Sequence, residues 1–267
     1  MSTQPKVVLI TGASSGFGQM LAHALRGRGY TVFGTSRNPG TDRSLLSLDV
    51  RDDASVTACV QRVEAAAGPV DVLVNNAGYV HEGPFEELTI DELRAIFETN
   101  FFGAVRMANA VLPAMRARKQ GRIINVGSLA GVIPLPFVGA YCATKHALDS
   151  YSESLYHELK PLGVGVSVVE PGYFSTGIAT RKLRTTPTIA DYDEQRARMY
   201  KTIAHDEDKR SGDPAAVVSL LTRIVEGKTT RLRHVLGTDS ITYYVRGLVP
   251  ERMWEFGFRL ATGLNRS

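Results

Sequence analysis

Ser128, Tyr141 and Lys145 are the residues of this chain whose types and spacing could do acid–base chemistry. Tyr141 and Lys145 stand four positions apart, and on a helix that offset places the phenol and the amine on one face. A phenol with a pKa of about 10 is a poor base at neutral pH, and a nearby ammonium lowers that value by favouring the phenolate. Bringing it to about 7 takes roughly 4 kcal/mol of differential stabilisation, at about 1.36 kcal/mol per unit. One close cation in a partly dry cleft supplies an interaction of that order. Ser128 ends a predicted strand and can hydrogen-bond the oxygen that gains or loses the proton. Taken alone, Tyr-x-x-x-Lys occurs by chance on many amphipathic helices, so the elements that carry these residues decide their meaning.

Those elements alternate. Val7-Val-Leu-Ile10 is a short continuous apolar run of the kind buried on both faces of a parallel sheet. Further strands are predicted at Thr31–Ser36, Ser44–Leu48, Val70–Val74, Gly121–Val126, Val164–Val169 and Arg231–Leu236. Helices are predicted between them, at Gln19–Arg26, Ala54–Ala67, Ile90–Arg118, Val138–Leu162 and Asp213–Glu226. Repeated β-α units with short connections imply an α/β fold, a parallel sheet with helices on both faces. Ligands on such sheets bind beyond the carboxyl ends of the strands. Gly12, Arg37, Asp49, Asn76, Ser128 and Pro171 all fall at such ends.

The turn Gly12-Ala-Ser14-Ser15-Gly16-Phe17-Gly18 joins the first strand to the first helix, where backbone amides and the helix dipole suit a pyrophosphate. The same residues fit the nucleophile-elbow pattern G-x-S-x-G, which would make Ser14 a hydrolase nucleophile. Its place after the first strand argues against that, because no upstream strand supplies a second oxyanion donor. Arg37 follows the second strand, and Ser36 stands where an acidic residue would bind the ribose hydroxyls of NAD. A guanidinium there can pair with a 2′-phosphate, so NADP(H) is expected in preference to NAD(H). Asp49, followed by Val50, can accept from the adenine amino group. Asn100, inside the Ile90–Arg118 helix, reads as a buried amide that fixes a water or the helix backbone near Lys145.

Composition sets the bounds. The 267 residues, 43% apolar and 22% charged, suffice for one large α/β domain spanning 1–267. The 31 basic residues barely exceed the 27 acidic ones and occur singly or in short runs, so no nucleic-acid partner is expected. Cys59 and Cys142 give no disulfide framework, and no metal site is read from the histidines or cysteines. Cys142 follows Tyr141 directly, which leaves an inert small residue, the preferred reading, or an oxidisable thiol. No apolar leader or membrane-length run appears, and a cytoplasmic location is the default expectation.

These pieces together resemble the short-chain dehydrogenase/reductase family. The likeness is carried by Thr11-Gly12-x-x-x-Gly16-x-Gly18, Asn75-Asn76-Ala77-Gly78, Asn100, Ser128, Tyr141-x-x-x-Lys145 and Pro171-Gly172-x-x-x-Thr176, in the family's order over residues 5–180. The resemblance implies a single Rossmann-type, doubly wound parallel sheet of about seven strands. It also implies hydride transfer between a nicotinamide and a secondary alcohol or ketone. Tyr141 would be the general acid/base, Ser128 would orient the substrate oxygen, and Asn100 would support a proton relay. Lys145 would lower the Tyr141 pKa and, with Tyr141, hold the nicotinamide ribose. Gly12, Ser14, Ser15, Gly16, Phe17, Gly18, Asn76, Ala77 and Gly78 would line the cofactor, with Pro171, Gly172, Phe174 and Thr176 on the carboxamide or phosphate side. The turn carries Ser14 and Ser15 where the family often has a basic residue, so the NADP(H) expectation rests on Arg37.

Residues 173–211 resemble the family's variable substrate loop, a length that suits a lid, with a helix expected at Ala190–Thr202. Ile178, Leu183, Tyr192, Met199 and Tyr200 could close an apolar pocket opposite Leu129, Val132, Leu135 and Phe137. The tail, 238–267, reads as an amphipathic helix over Ile241–Leu264. It allows three roles: a flap, a partner-subunit contact in a homodimer or homotetramer, or a membrane-surface helix, with the last ranked below the others. The expected substrate is apolar and steroid-, retinoid- or lipid-like. A dinucleotide-binding sensor or scaffold with little catalysis is the alternative from a different class.

Overall fold

The computed structural model describes residues 6–176, 182–238 and 240–262. Strands β1 (Val7–Ile10), β2 (Thr31–Ser36), β3 (Leu45–Ser47), β4 (Val72–Asn75), β6 (Gly121–Val126), β7 (Val164–Pro171) and β9 (Arg233–Leu236) form one parallel sheet in the order β3-β2-β1-β4-β6-β7-β9. The parallel α/β sheet expected from the alternation is present, with the seven strands and doubly wound arrangement that the family resemblance implies. Helices α1 (Gly16–Arg26), α2 (Asp53–Ala67), α4 (Gly103–Arg118), α5 (Gly139–Leu159) and α7 (Pro214–Val225) cover it.

The continuous apolar runs explain both layers. Side chains alternate across a strand, so Leu9, Leu73, Ile123 and Val166 enter one core with Val60, Met107, Met115 and Leu155 of the covering helices. Their neighbours Val8, Ile10, Val72, Val74 and Ile124 enter the other, against Leu21, Leu25, Val217 and Leu221. Chain order reverses between β1 and β4, which opens a crevice at the carboxyl edge.

Four expectations are corrected. The single helix predicted over Ile90–Arg118 is α3 (Ile90–Phe97), one π-helical turn at Glu98–Phe102, then α4. The loop expected between Tyr173 and Ser211 contributes strand β8 (Leu183–Arg184), which pairs in parallel with β5 (His81–Glu82). The lid helix begins later and runs further than Ala190–Thr202, as α6 (Asp193–Arg210). The tail is two helices, α8 (Ser240–Arg246) and α9 (Glu251–Thr262), because Pro250 separates them. Trp254 and Phe258 stack at 6.4 Å and are half-buried, whereas Tyr244, Leu248, Met253, Phe256 and Leu260 face outward. Intramolecular packing therefore covers only part of the tail's apolar surface. Ile178 and Leu264 lie outside the described residues. Among the described residues no helix is long and apolar enough to cross a membrane.

Candidate active site

Tyr141 and Lys145 occupy the first turns of α5, and Ser128 lies just beyond the end of β6. Ser128 is close enough to the Tyr141 phenol to favour its charged form. Ser128 Oγ accepts from the Ala130 amide at 3.2 Å, which holds the serine in place. Lys145 is buried, with Nζ 5.7 Å from the centroid of the Tyr141 ring and donating to the Val126 carbonyl at 2.7 Å. Strand end and helix face thus bring the three residues together.

Burial sets their charge. It pushes the Tyr141 phenol up to about 12, opposed by Ser128. It drives the Lys145 ammonium down to about 8, opposed by the charge of Asp149. The order of effects expected from the spacing, with Lys145 dominant and Tyr141 lowered, is therefore not what the site shows. Lys145 gives a hydrogen bond to a backbone carbonyl, and desolvation of the phenol outweighs its field.

Asn100 sits in the π turn, 2% exposed. Its Oδ1 accepts from the Tyr79 amide at 3.0 Å, and its Nδ2 donates to the Tyr79 carbonyl at 2.9 Å and to Thr144 Oγ1 at 3.1 Å. Thr144 in turn donates to the Tyr141 carbonyl at 2.7 Å. Asn100 thereby ties the loop after β4 to the turn of α5 that carries both Tyr141 and Lys145. A cavity of about 10 Å³ lies between Asn75, Thr99, Asn100 and Lys145, which is room for one water. The buried Asn75 Oδ1 meets no donor, so the cavity has a polar wall to hold that water.

Across the crevice, Gly12 and Gly16 have φ of +65° and +56°, a region glycine enters freely. A Cβ on Gly12 would lie 2.8 Å from Ala77 Cα, and one on Gly18 would lie 2.6 Å from Asn76 Nδ2. Glycine therefore lets Asn76 and Ala77 close on the turn. Thr11 Oγ1 accepts from both their amides, at 2.9 and 3.0 Å, and Asn76 Nδ2 donates back to the Thr11 and Gly12 carbonyls at 3.0 Å. Ser15 stands at the N-cap position of α1 without a side-chain capping bond, the first turn of that helix holds no acidic residue, and Ser14 is exposed beside it. This cradle fits an anion such as a pyrophosphate. The loop after Pro171-Gly172 closes over it: Phe174 meets Phe17 edge-on at 6.0 Å, and a Cβ on Gly16 would touch the Thr176 carbonyl at 3.2 Å. Gly78, exposed, lies against Asn100. Arg37 is exposed after Ser36 at the β2 end. The Asp49 carboxylate is gripped by Arg51, with Nη2 at 2.6 Å and Nε at 2.9 Å, which holds it below the usual range. Val50 is buried against Gly103 under the π turn.

The family profile for short chain dehydrogenase matches residues 6–187. The chain belongs to this family. Its members use a nicotinamide cofactor, and the glycine cradle described above, with its close approach of Ala77 to Gly12, fits one. The chain is 36% identical to 3-ketodihydrosphingosine reductase from Bacteroides thetaiotaomicron over 96% of this chain and 98% of that protein. It is 38% identical to human 17-beta-hydroxysteroid dehydrogenase type 1, over 75% of this chain and 67% of that protein. A crystal structure of a short-chain dehydrogenase from Streptomyces avermitilis superposes with a TM-score of 0.82 at 35% identity, covering 99% of this chain and all of that one.

Beside Tyr141, Phe137 meets Tyr192 and Tyr200 edge-on at 6.1 and 6.4 Å, in a cluster with Val80, Met199 and Ile203. Met199, 1% exposed, holds α6 to the body instead of lining a pocket, and Leu183 faces outward. Phe137 has φ +62°, a strained backbone for a bulky residue, and its carbonyl accepts from the Gly83 amide at 2.7 Å. Ion pairs complete the attachment of the lid. Buried Glu82 meets Lys182 at 2.8 Å and Arg184 at 2.9 Å, and buried Glu87 meets Arg196 at 2.7 Å and the amides of Thr188 and Ile189. Burial pushes the Cys142 thiol up to about 11, which leaves it inert.

Sequence reasoning quoted Thr11 in the glycine motif without giving it a role, and missed Thr144 and Arg51. The Thr-Gly pair before the cradle and the threonine one position before Lys145 were the available signals.

Proposed function

We propose that this chain is an NADP(H)-dependent oxidoreductase that interconverts a secondary alcohol and a ketone on a large apolar substrate of lipid or steroid type. The observation that carries the reading is the convergence of Ser128, Tyr141 and Lys145 at one sheet edge facing the glycine cradle. The enzymes it resembles include one named for a ketosphingoid base and one named for a hydroxysteroid, which supports the substrate class. Arg37, exposed after β2 without an acidic neighbour at Ser36, supports NADP(H).

Gly12 and the turn Ser14–Gly18 would hold the pyrophosphate, Arg37 the 2′-phosphate, Asp49 and Val50 the adenine, and Asn76–Gly78 the adjoining ribose. Tyr141 and Lys145 would hold the nicotinamide ribose, with Pro171, Gly172, Phe174 and Thr176 at the carboxamide. When bound, the nicotinamide supplies or accepts the hydride. Tyr141, protonated at neutral pH, donates its proton to the carbonyl oxygen as negative charge develops there. Ser128 donates a hydrogen bond to the same oxygen and orients it. Lys145, the small cavity and Asn100 return a proton to Tyr141 from solvent. Residues 173–211 would serve as the substrate loop, whose described part from Lys182 onward is anchored by Glu82 and Glu87.

A dinucleotide-binding scaffold would not require these four side chains to be assembled. The hydrolase alternative is disfavoured because Ser14 sits within the phosphate turn itself. The test is a screen of NADPH and NADH oxidation against ketosphingoid bases, ketosteroids, retinoids, short ketones and sugars. Turnover confined to apolar ketones with NADPH is expected. Oxidation of neither cofactor by any carbonyl compound refutes the reading.

A further inference from the structure

One helical turn beyond Lys145, Asp149 belongs to a buried cluster that the acid–base role of Tyr141 leaves unexplained. Glu170, near the end of β7, is 0% exposed and Asp149 is 6% exposed. Arg233 of β9 bridges them: Nη1 donates to Asp149 Oδ2 at 2.6 Å and to Glu170 Oε1 at 2.9 Å, while Nη2 reaches Glu153 Oε2 at 3.1 Å. The remaining oxygens, Asp149 Oδ1 and Glu170 Oε2, are buried and meet no donor. Arg233 Nη1 thus holds one oxygen of each carboxyl, which sets the two acids side by side on a single donor.

Two carboxylates in such contact cannot both ionise, because each destabilises the charge of the other. One proton on the pair leaves a single negative charge to balance the guanidinium. Glu170 is its natural holder, since burial, then the neighbouring Asp149, push it up to about 9. The shorter contact from Arg233 goes to Asp149, as expected of the ionised partner. The charged and titratable groups facing the pair are Lys145 and Glu153 of α5, Arg233 of β9 and Tyr243 of α8. Asp149 is the charge that opposes the effect of burial on Lys145.

We infer that Asp149 and Glu170 are a one-proton carboxyl pair, clamped by Arg233, that acts as a positioning element for Lys145. Glu170 keeps the proton so that Asp149 stays anionic, and Asp149, one helical turn from Lys145, favours the charged form of its ammonium. A proton moved to Asp149 would remove that support. The inference rests on the role proposed for Tyr141 and Lys145, but its readouts do not require turnover.

The experiment uses the full chain with isotope-labelled lysine and follows the Lys145 ammonium by NMR across pH, alongside infrared spectra of the carboxyl region. In Asp149→Asn the Lys145 titration moves down by about one unit, the size of shift one nearby charge produces. Where the screen yields a ketone substrate, the pH profile of its reduction moves with it. In Glu170→Gln the amide mimics the protonated acid, so Lys145 titrates where it does in the native chain and the buried carboxylic-acid band disappears. An unmoved Lys145 titration in Asp149→Asn overturns the inference, as does a native spectrum with no buried carboxylic acid at neutral pH. A purely structural role predicts lower melting temperatures with no shift in either titration. If Asp149→Asn fails to fold, the native and Glu170→Gln spectra still decide. Absence of any dehydrogenase turnover would sink the proposed function while leaving these two readouts intact.

Discussion

Replacing Asn100 by alanine removes three hydrogen bonds at once, to the Tyr79 amide, the Tyr79 carbonyl and Thr144 Oγ1. At a net value of about 1 kcal/mol each, the loss is roughly 3 kcal/mol, and the stranded Tyr79 backbone groups push it upward. For a chain of this size about 1 kcal/mol moves the melting temperature by roughly 2–4 °C, so a drop on the order of 6–12 °C is expected by calorimetry. Thr144→Val removes one of the three contacts, together with the bond to the Tyr141 carbonyl, and should show roughly half that drop. The catalytic effect separates the two variants. Asn100 also walls the small cavity beside Lys145, so Asn100→Ala should lower kcat by about two orders of magnitude, the usual contribution of one proton-transfer group. Thr144 does not line that cavity, and its variant should keep most of kcat. If Asn100→Ala loses stability as stated but turns over at the native rate, Asn100 is a structural brace and the relay is wrong.

Arg37→Asp should weaken NADPH binding by roughly 10–150-fold, the equivalent of one charge-assisted bond to phosphate, and leave NADH binding improved or unchanged, read by fluorescence titration. An unaltered ratio would transfer the selecting role to Arg51. Glu82→Gln loosens the lid by removing the charge shared by Lys182 and Arg184. Hydrogen exchange should quicken across residues 182–210, and KM for the ketone should rise roughly tenfold, about 1.4 kcal/mol, more than kcat falls. Stability should also carry the signature of Glu170. Burial and the neighbouring Asp149 push its carboxyl up to about 9 in the folded chain, well above the ordinary carboxylate range, so the folded state binds the extra proton between those values. The contribution is complete below the unfolded value and is lost as pH rises through the folded one. The melting temperature of the native chain relative to Glu170→Gln should therefore fall from pH 5 to pH 9, and a constant difference would show that Glu170 is ionised throughout.

The central strands β1, β4 and β7 were readable because each is a short, largely apolar run buried on both faces, a pattern that needs no tertiary information. The carboxyl-edge placement of Gly12, Arg37, Ser128 and Pro171 followed from the same alternation. What escaped depends on contacts between distant segments. His81-Glu82 and Leu183-Arg184 are too short to show a strand period, and they pair because Glu82 is buried between Lys182 and Arg184. The π turn at Glu98–Phe102 contains no proline or glycine and is held by the bonds of Asn100 to Tyr79 and Thr144. Spacing placed Tyr141 beside Lys145, but the balance between burial and charge needs the packed site, and there burial prevails. Asp149 was within reach of the same spacing rule as Tyr141; Glu170 and Arg233 join it only because β7 lies between β6 and β9.

The most direct test of the account is single-turnover reduction of an active ketone by prebound NADPH, comparing the native chain with Tyr141→Phe. The phenylalanine keeps the ring and its packing and removes only the hydroxyl that carries the exchangeable proton. NADPH binding should weaken only by the one ribose contact the hydroxyl makes, and with NADPH prebound the hydride-transfer rate should be lower by at least about two orders of magnitude, in line with loss of a general acid. A native rate in Tyr141→Phe would contradict it, and proton delivery would then have to come from elsewhere in the site.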